Sequence, residues 1–245
     1  MQLALYCLWL LPIPVLAAIA AVMYRRKQHR LYPMFWAYAW FQCVALVTEF
    51  ICKLVSYKAY FYAYWIFSTL TAFIILLLLR TVFVRFLDKY PTLDSVRRHG
   101  FEFAVSGIWV TALAMNIGFM AAQSWPQKIA RAALIISFTE AGIFVFVLIT
   151  TLVLGIRWNS ADCGIAAGLG VMGAADLLVY TGLSWATSLF KSAVIGSWIE
   201  TVAYNIALGI FAFYFLPVRV AETASTDVRP ELLEWAESMK GAVRK

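Results

Sequence analysis

Seven apolar runs alternate with short polar breaks along the chain, at residues 3–23, 34–55, 59–84, 101–122, 131–156, 164–186 and 194–216. At 1.5 Å per residue, about 20 residues cross the hydrocarbon core of a bilayer, so each run predicts a transmembrane helix. Polar side chains recur inside these runs at helical spacing. In the second run, Tyr38, Gln42, Glu49 and Lys53 form one stripe that continues to Ser56. The fifth places Ser137, Glu140 and Thr151 on one line, and the sixth aligns Asp176 with Tyr180. The seventh aligns Ser197, Glu200 and Tyr204, with Thr201 and Asn205 one position over. The fourth carries Trp109 and Asn116. The first run is almost free of polar residues and holds Pro12 and Pro14, which predicts a bent helix at the periphery. The third opens with Tyr57, Tyr60, Phe61, Tyr62, Tyr64 and Trp65, rings of the kind that gather at a membrane–water boundary.

Asp176 is the centre of the pattern. It is the one charge-capable side chain between Gly164 and Trp185, and it sits near mid-span. A carboxylate at that depth is costly unless it is paired, protonated or hydrated, so it is expected to face other helices rather than lipid. Gly164 and Gly168 form a small-xxx-small pair, and Gly170 and Gly173 add further places where a neighbour can come close. The sixth helix is therefore expected inside the bundle.

Composition agrees with the pattern. Of 245 residues, 63% are hydrophobic and 13% charged, and mean hydropathy is +0.80. A soluble domain carries about 25% charged residues. The net charge of +7 would suggest nucleic acid in a soluble chain, but here the basic residues flank the apolar runs. Membrane topology and anionic lipid headgroups account for them, and no nucleic-acid partner is expected. Fifteen of the 20 Lys and Arg fall near the ends of the first, third and fifth runs, in the segments that follow them or in the tail, which predicts the N-terminus outside and the C-terminus inside. Arg25, Arg26, Lys27 and Arg30 follow the first run instead of preceding it, the reverse of a cleaved signal peptide. The fold class expected is an all-α polytopic bundle of seven transmembrane helices over residues 1–217, with residues 218–245 as a short cytoplasmic tail. In that tail Asp227 and Pro230 suit a helix start. Leu232, Trp235 and Met239 would share one face, with Lys240, Arg244 and Lys245 closing an interfacial helix.

Four carboxylates, Glu49, Glu140, Asp176 and Glu200, lie well inside the runs, in the predicted outer half or near the midplane. Lys53, one turn from Glu49, is the one evident basic partner. Two readings stay open. In one, Glu140, Asp176, Tyr180, Glu200 and Tyr204, with Glu49 nearby, line an outward-facing cavity for a cation or small polar ligand. In the other, the acids stay protonated and clasp helices together by hydrogen bonds. Cys7 and Cys52 fall at similar depth near the predicted outer end and form a candidate disulfide; two unpaired apolar thiols are the alternative.

Several chemistries find no support. The last run lacks a lysine for a retinal Schiff base, and His29 and His99 lie outside the runs, against membrane haem. No metal-ligand spacing, protease motif or nucleotide-binding glycine pattern occurs, so neither cofactor nor enzymatic activity is expected. The strings MYRRKQHRLYPMFWAYAWFQ and AYFYAYWIFSTL resemble those of an uncharacterised family of small bacterial seven-helix membrane proteins. The resemblance implies the bacterial cytoplasmic membrane as location and carries no activity and no site residues. The leading expectation is a sensor-like, non-enzymatic module that binds a small ligand or cation from outside and acts through a partner chain. Alternatives are a structural or accessory subunit of a membrane complex or homo-oligomer, and a proton- or cation-coupled transporter.

Overall fold

The computed structural model describes residues 8–88, 94–117, 125–155, 161–185 and 193–217. These contain seven α-helices and no strand: α1 (Pro12–Arg25), α2 (Pro33–Val55), α3 (Tyr57–Leu87), α4 (Asp94–Ile117), α5 (Trp125–Val153), α6 (Ala161–Trp185) and α7 (Ala193–Phe215). Six helical spans are long and apolar enough to cross a membrane, as expected of a multi-pass membrane protein: Leu8–Arg25, which includes α1, and parts or all of α2, α3, α5, α6 and α7. The described part of α4 opens with Asp94, Arg97, Arg98 and Glu102, which shortens its apolar run. The tail, with the expected interfacial helix, lies outside the described residues. So does Cys7, and with it the expected Cys7–Cys52 pair.

The chain runs up and down with short connections. Residues Gln28–Arg30 form a single 3₁₀ turn between α1 and α2, entered through Lys27 at φ 58°. That left-handed conformation is uncommon for a residue with a Cβ, and neighbouring contacts hold it. His29 stacks on Tyr24 at 5.0 Å, and Trp36 Nε1 donates to the Ala20 carbonyl at 3.2 Å. Arg26 donates to the carbonyls of Phe215 (3.3 Å) and Pro217 (2.8 Å), satisfying groups the end of α7 would otherwise leave open. Ser56 joins α2 to α3 and caps α3, its Oγ accepting from the Ala59 N–H at 3.1 Å.

α3 packs against α2, α4, α5 and α6, while α6 lies between α5 and α7 and α1 bridges α2 and α7. The α6 glycines explain its inner place. A Cβ on Gly168 would fall 2.3 Å from the Phe211 ring, one on Gly164 2.4 Å from Tyr214, and one on Gly170 2.4 Å from Phe144. The glycines make notches that accept aromatic rings from α7 and α5, which is how the close approach expected from them is realised. The first helix lies at the edge of the bundle, as expected, packed against α2 and α7. Pro12 occupies its first turn, where the missing N–H costs nothing, and Leu16, Ile19, Ala20 and Met23 are fully buried between α2 and α7.

The apolar core occupies one half of the bundle. It joins the end of α1 (Ile19, Met23), the start of α2 (Phe35, Tyr38), the end of α3 (Leu79, Phe83), the start of α6 (Ile165, Leu169) and the end of α7 (Phe211, Phe215). Phe35 stacks on Phe215 at 4.6 Å and meets Phe211 edge-on at 5.0 Å. Basic residues fasten the same end. Arg85 pairs with Asp162 at 3.3 Å, lies 4.6 Å over the Tyr32 ring and donates to the Leu31 carbonyl, joining α3, α6 and the α1–α2 turn. Arg80 pairs with Glu102 at 2.9 Å, and Arg97 with Asp88. Packing is therefore concentrated at the end where α2 and α6 begin and α3 and α7 finish.

Candidate functional site

The opposite half of the bundle encloses a cavity of about 270 Å³. It lies toward the end where α3 and α7 begin and α2 and α6 finish. All six residues singled out as candidate ligand contacts line it: Glu49 from α2, Glu140 from α5, Asp176 and Tyr180 from α6, and Glu200 and Tyr204 from α7. Each reaches it because its stripe faces inward. Gln42 shares the α2 stripe with Glu49, Ser137 precedes Glu140 by one turn on α5, and Ser197 and Thr201 flank Glu200 on α7; all of them line the same space. Gly173 lets α5 come close at the level of Glu140, since a Cβ there would lie 3.5 Å from the Glu140 Cβ. Glu140 therefore sits about one turn deeper than Asp176, three residues further along α6.

Burial and bonding differ between the acids and their surroundings. Glu140 and Glu49 are 6% and 8% exposed, and Asp176 and Glu200 are partly exposed. Among the described residues, none of the four carboxylates accepts a hydrogen bond or joins an ion pair. The neutral polar groups around them are mostly partnered. Gln42 Nε2 donates to Thr71 Oγ1 at 3.1 Å, tying α2 to α3. The Tyr64 and Tyr180 hydroxyls lie 3.4 Å apart, tying α3 to α6. Asn205 Nδ2 donates to the carbonyls of Thr201 (2.8 Å) and Leu8 (3.2 Å), fixing α7 against the start of the first span. Two buried atoms beside the cavity, Tyr204 Oη and Asn205 Oδ1, have no hydrogen-bond partner among the described residues. Lys53 Nζ lies 4.9 Å from the Trp9 ring centre and 5.7 Å from that of Tyr60, both cavity residues.

The third and first helices contribute more than their sequences suggested. Tyr60, Tyr64, Ser68 and Thr71 of α3 line the cavity, as does Trp9 near the chain start. The rings expected as a boundary belt thus include a wall of the cavity. The signal was present: Tyr60, Tyr64, Ser68 and Thr71 follow one another at steps of four, four and three. Thr151, on the same line as Ser137 and Glu140, is elsewhere, bonding the Leu148 carbonyl at 2.8 Å in the core half. Trp109 is 45% exposed on α4, and the Asn116 side chain lies outside the described residues.

This arrangement resembles a polar cup on an apolar base. Tyr38 and Met172 mark the boundary, with the Tyr38 hydroxyl 3.7 Å from the Met172 sulfur. Among the described residues, no group of three or more His, Cys, Asp or Glu side chains is placed to hold one metal ion. The acids surround a volume instead of converging on a point. No family model, curated protein or solved structure matches the chain. The family suggested by the two sequence strings therefore gains no support beyond those strings.

Proposed function

We propose that this protein is a non-enzymatic membrane module whose half-bundle cavity binds a small cationic or polar ligand. One observation carries the reading: four carboxylates from four helices line a single cavity of about 270 Å³ and have no partner among the described residues. Burying unpartnered acids costs stability. A helix clasp would use their hydrogen bonds, whereas a ligand site leaves them open until the ligand arrives. The volume also suits a small molecule, since one water occupies about 30 Å³ of liquid. The apolar base beneath Tyr38 and Met172 makes the cavity blind on that side, which suits a receptor-like module better than a conduit.

The positive-inside distribution sets the cavity mouth on the outer face, reached from the periplasm if the host is bacterial. In this reading a bound state is passed to a partner protein or a second copy. The test is thermal unfolding of the full chain in mild detergent across small amines, amino acids, sugars, and mono- and divalent cations. A compound that raises the melting temperature of the wild-type chain and fails on Glu140→Gln supports the reading. Stoichiometric partner chains in the preparation, together with no response to any compound, would turn it to a structural subunit.

A further inference from the structure

The composition of the cavity wall narrows the ligand to one chemical class. Among the described side chains that line the cavity, four are carboxylic acids and none is Lys, Arg or His. Ionised, they present up to four negative charges, so a single monovalent ion would leave most of them uncompensated in a low-dielectric space. A metal ion would need several oxygens gathered at about 2.0–2.6 Å from one point. The acids here are spread around the volume, and none of the described residues forms such a group. Acids spread in this way are better compensated by something extended, with more than one charged end.

The rest of the wall is aromatic and apolar. Trp9, Tyr60, Tyr64 and Trp65 stand along one side, with Met172 and Ile75 toward the base. The rim already shows which cation those rings accept: the Lys53 ammonium lies 4.9 Å from the Trp9 ring centre and 5.7 Å from that of Tyr60. A primary ammonium on an aliphatic stem is thus compatible with this wall. The acids also lie at graded depths. Glu49 and Glu200 lie about 9–10 Å inside the nearer ends of α2 and α7, Asp176 about 13 Å inside the end of α6, and Glu140 about a turn below Asp176. Buried Tyr204 Oη and Asn205 Oδ1, without a partner among the described residues, add acceptors beside the space.

We propose, resting on the ligand-binding reading above, that the cavity takes an aliphatic diamine: one ammonium between Glu140 and Asp176, the other toward Glu49 and Glu200, and the methylene chain against Trp9, Tyr60 and Trp65. The dication compensates two acids directly. Each ammonium has three N–H donors for the carboxylates and the unpartnered acceptors. The stem buries apolar surface against the aromatic wall.

Isothermal titration and melting of the full chain in detergent micelles decide the point, with 1,4-diaminobutane and 1,5-diaminopentane as probes. n-Butylamine supplies the same stem with one charge, and NaCl and MgCl₂ supply charge without a stem. The expected result is saturable diamine binding, at least tenfold tighter than n-butylamine, with no carboxylate-dependent response to either salt. Glu140→Gln and Asp176→Asn are each expected to weaken diamine binding tenfold or more. The wild-type comparison stands alone if either variant fails to fold. Equal binding of mono- and diamine, or a response confined to a metal ion or to an uncharged compound, would overturn the diamine assignment while leaving the cavity as a ligand site. No response to any compound, with the acid variants unchanged in melting, would overturn both.

Discussion

Replacing Glu140 with methionine separates a waiting binding site from a helix clasp. The side chains are similar in length and volume, so Glu140→Met leaves the packing of α5 on α6 nearly intact. Glu140 is 6% exposed and, among the described residues, its carboxylate has no hydrogen-bond or ion-pair partner. Removing a buried polar group that lacks a partner recovers its desolvation cost, about 1–3 kcal/mol. The cavity is large enough to hold water, which recovers part of that cost in the wild type, so the expected gain is about 1–2 kcal/mol. The assay is equilibrium unfolding in mixed micelles, without added ligand, on wild type and variant side by side. The variant should unfold at higher denaturant and should no longer respond to the compound that stabilises the wild type. A loss of more than about 1 kcal/mol would refute the reasoning, because cutting a working interhelical hydrogen bond destabilises the bundle. The same comparison with Glu140→Gln tests whether charge or shape matters, since glutamine keeps the shape and the hydrogen-bonding capacity.

Asp176→Asn should leave stability within about 1 kcal/mol of wild type yet abolish ligand-dependent stabilisation, measured in the same melts. Gly168→Ala would place a Cβ 2.3 Å from a Phe211 ring that is only 2% exposed, so overpacking should cost about 1–3 kcal/mol. Gly209→Ala meets nothing within 4 Å and should be neutral or add up to about 1 kcal/mol of helix propensity, the pair being read by chemical unfolding. A reporter fused after Lys245 should be active on the cytoplasmic side, where the positive-inside rule places the basic loops; activity on the opposite side would invert the orientation and with it the face on which the cavity opens.

Much of the cavity was legible because stripes of polar residues inside apolar runs carry their own geometry. Glu200 and Tyr204, or Asp176 and Tyr180, four residues apart, must share a helix face, and membrane chemistry requires that face to turn from lipid. Each of these stripes did reach the cavity. What a stripe cannot carry is depth relative to the packing partners. Thr151 shares the line of Ser137 and Glu140 but lies 11 residues beyond Glu140, about 16 Å along the axis, and ends in the core half. The apolar α1 does lie at the edge of the bundle, but a helix without polar groups does not say which of its faces turns inward; packing on α2 and α7 buries Ile19 and Ala20.

The third helix shows why aromatic residues near a span end are ambiguous. A tyrosine ring with its hydroxyl outward satisfies the membrane boundary, and the same ring turned inward satisfies a polar cavity. Along α3 the two fates separate by face. Tyr57 and Tyr62 are 79% and 66% exposed, as boundary rings should be. Tyr60 and Tyr64 turn inward, where the Tyr64 hydroxyl meets that of Tyr180, and Ser68 and Thr71 continue their stripe down the cavity wall. A belt needs no such continuation, because its function ends at the headgroups. Polar residues that carry an aromatic stripe two further turns into the span therefore mark a cavity wall and not a boundary belt, and α3 is the helix on which that distinction can be read.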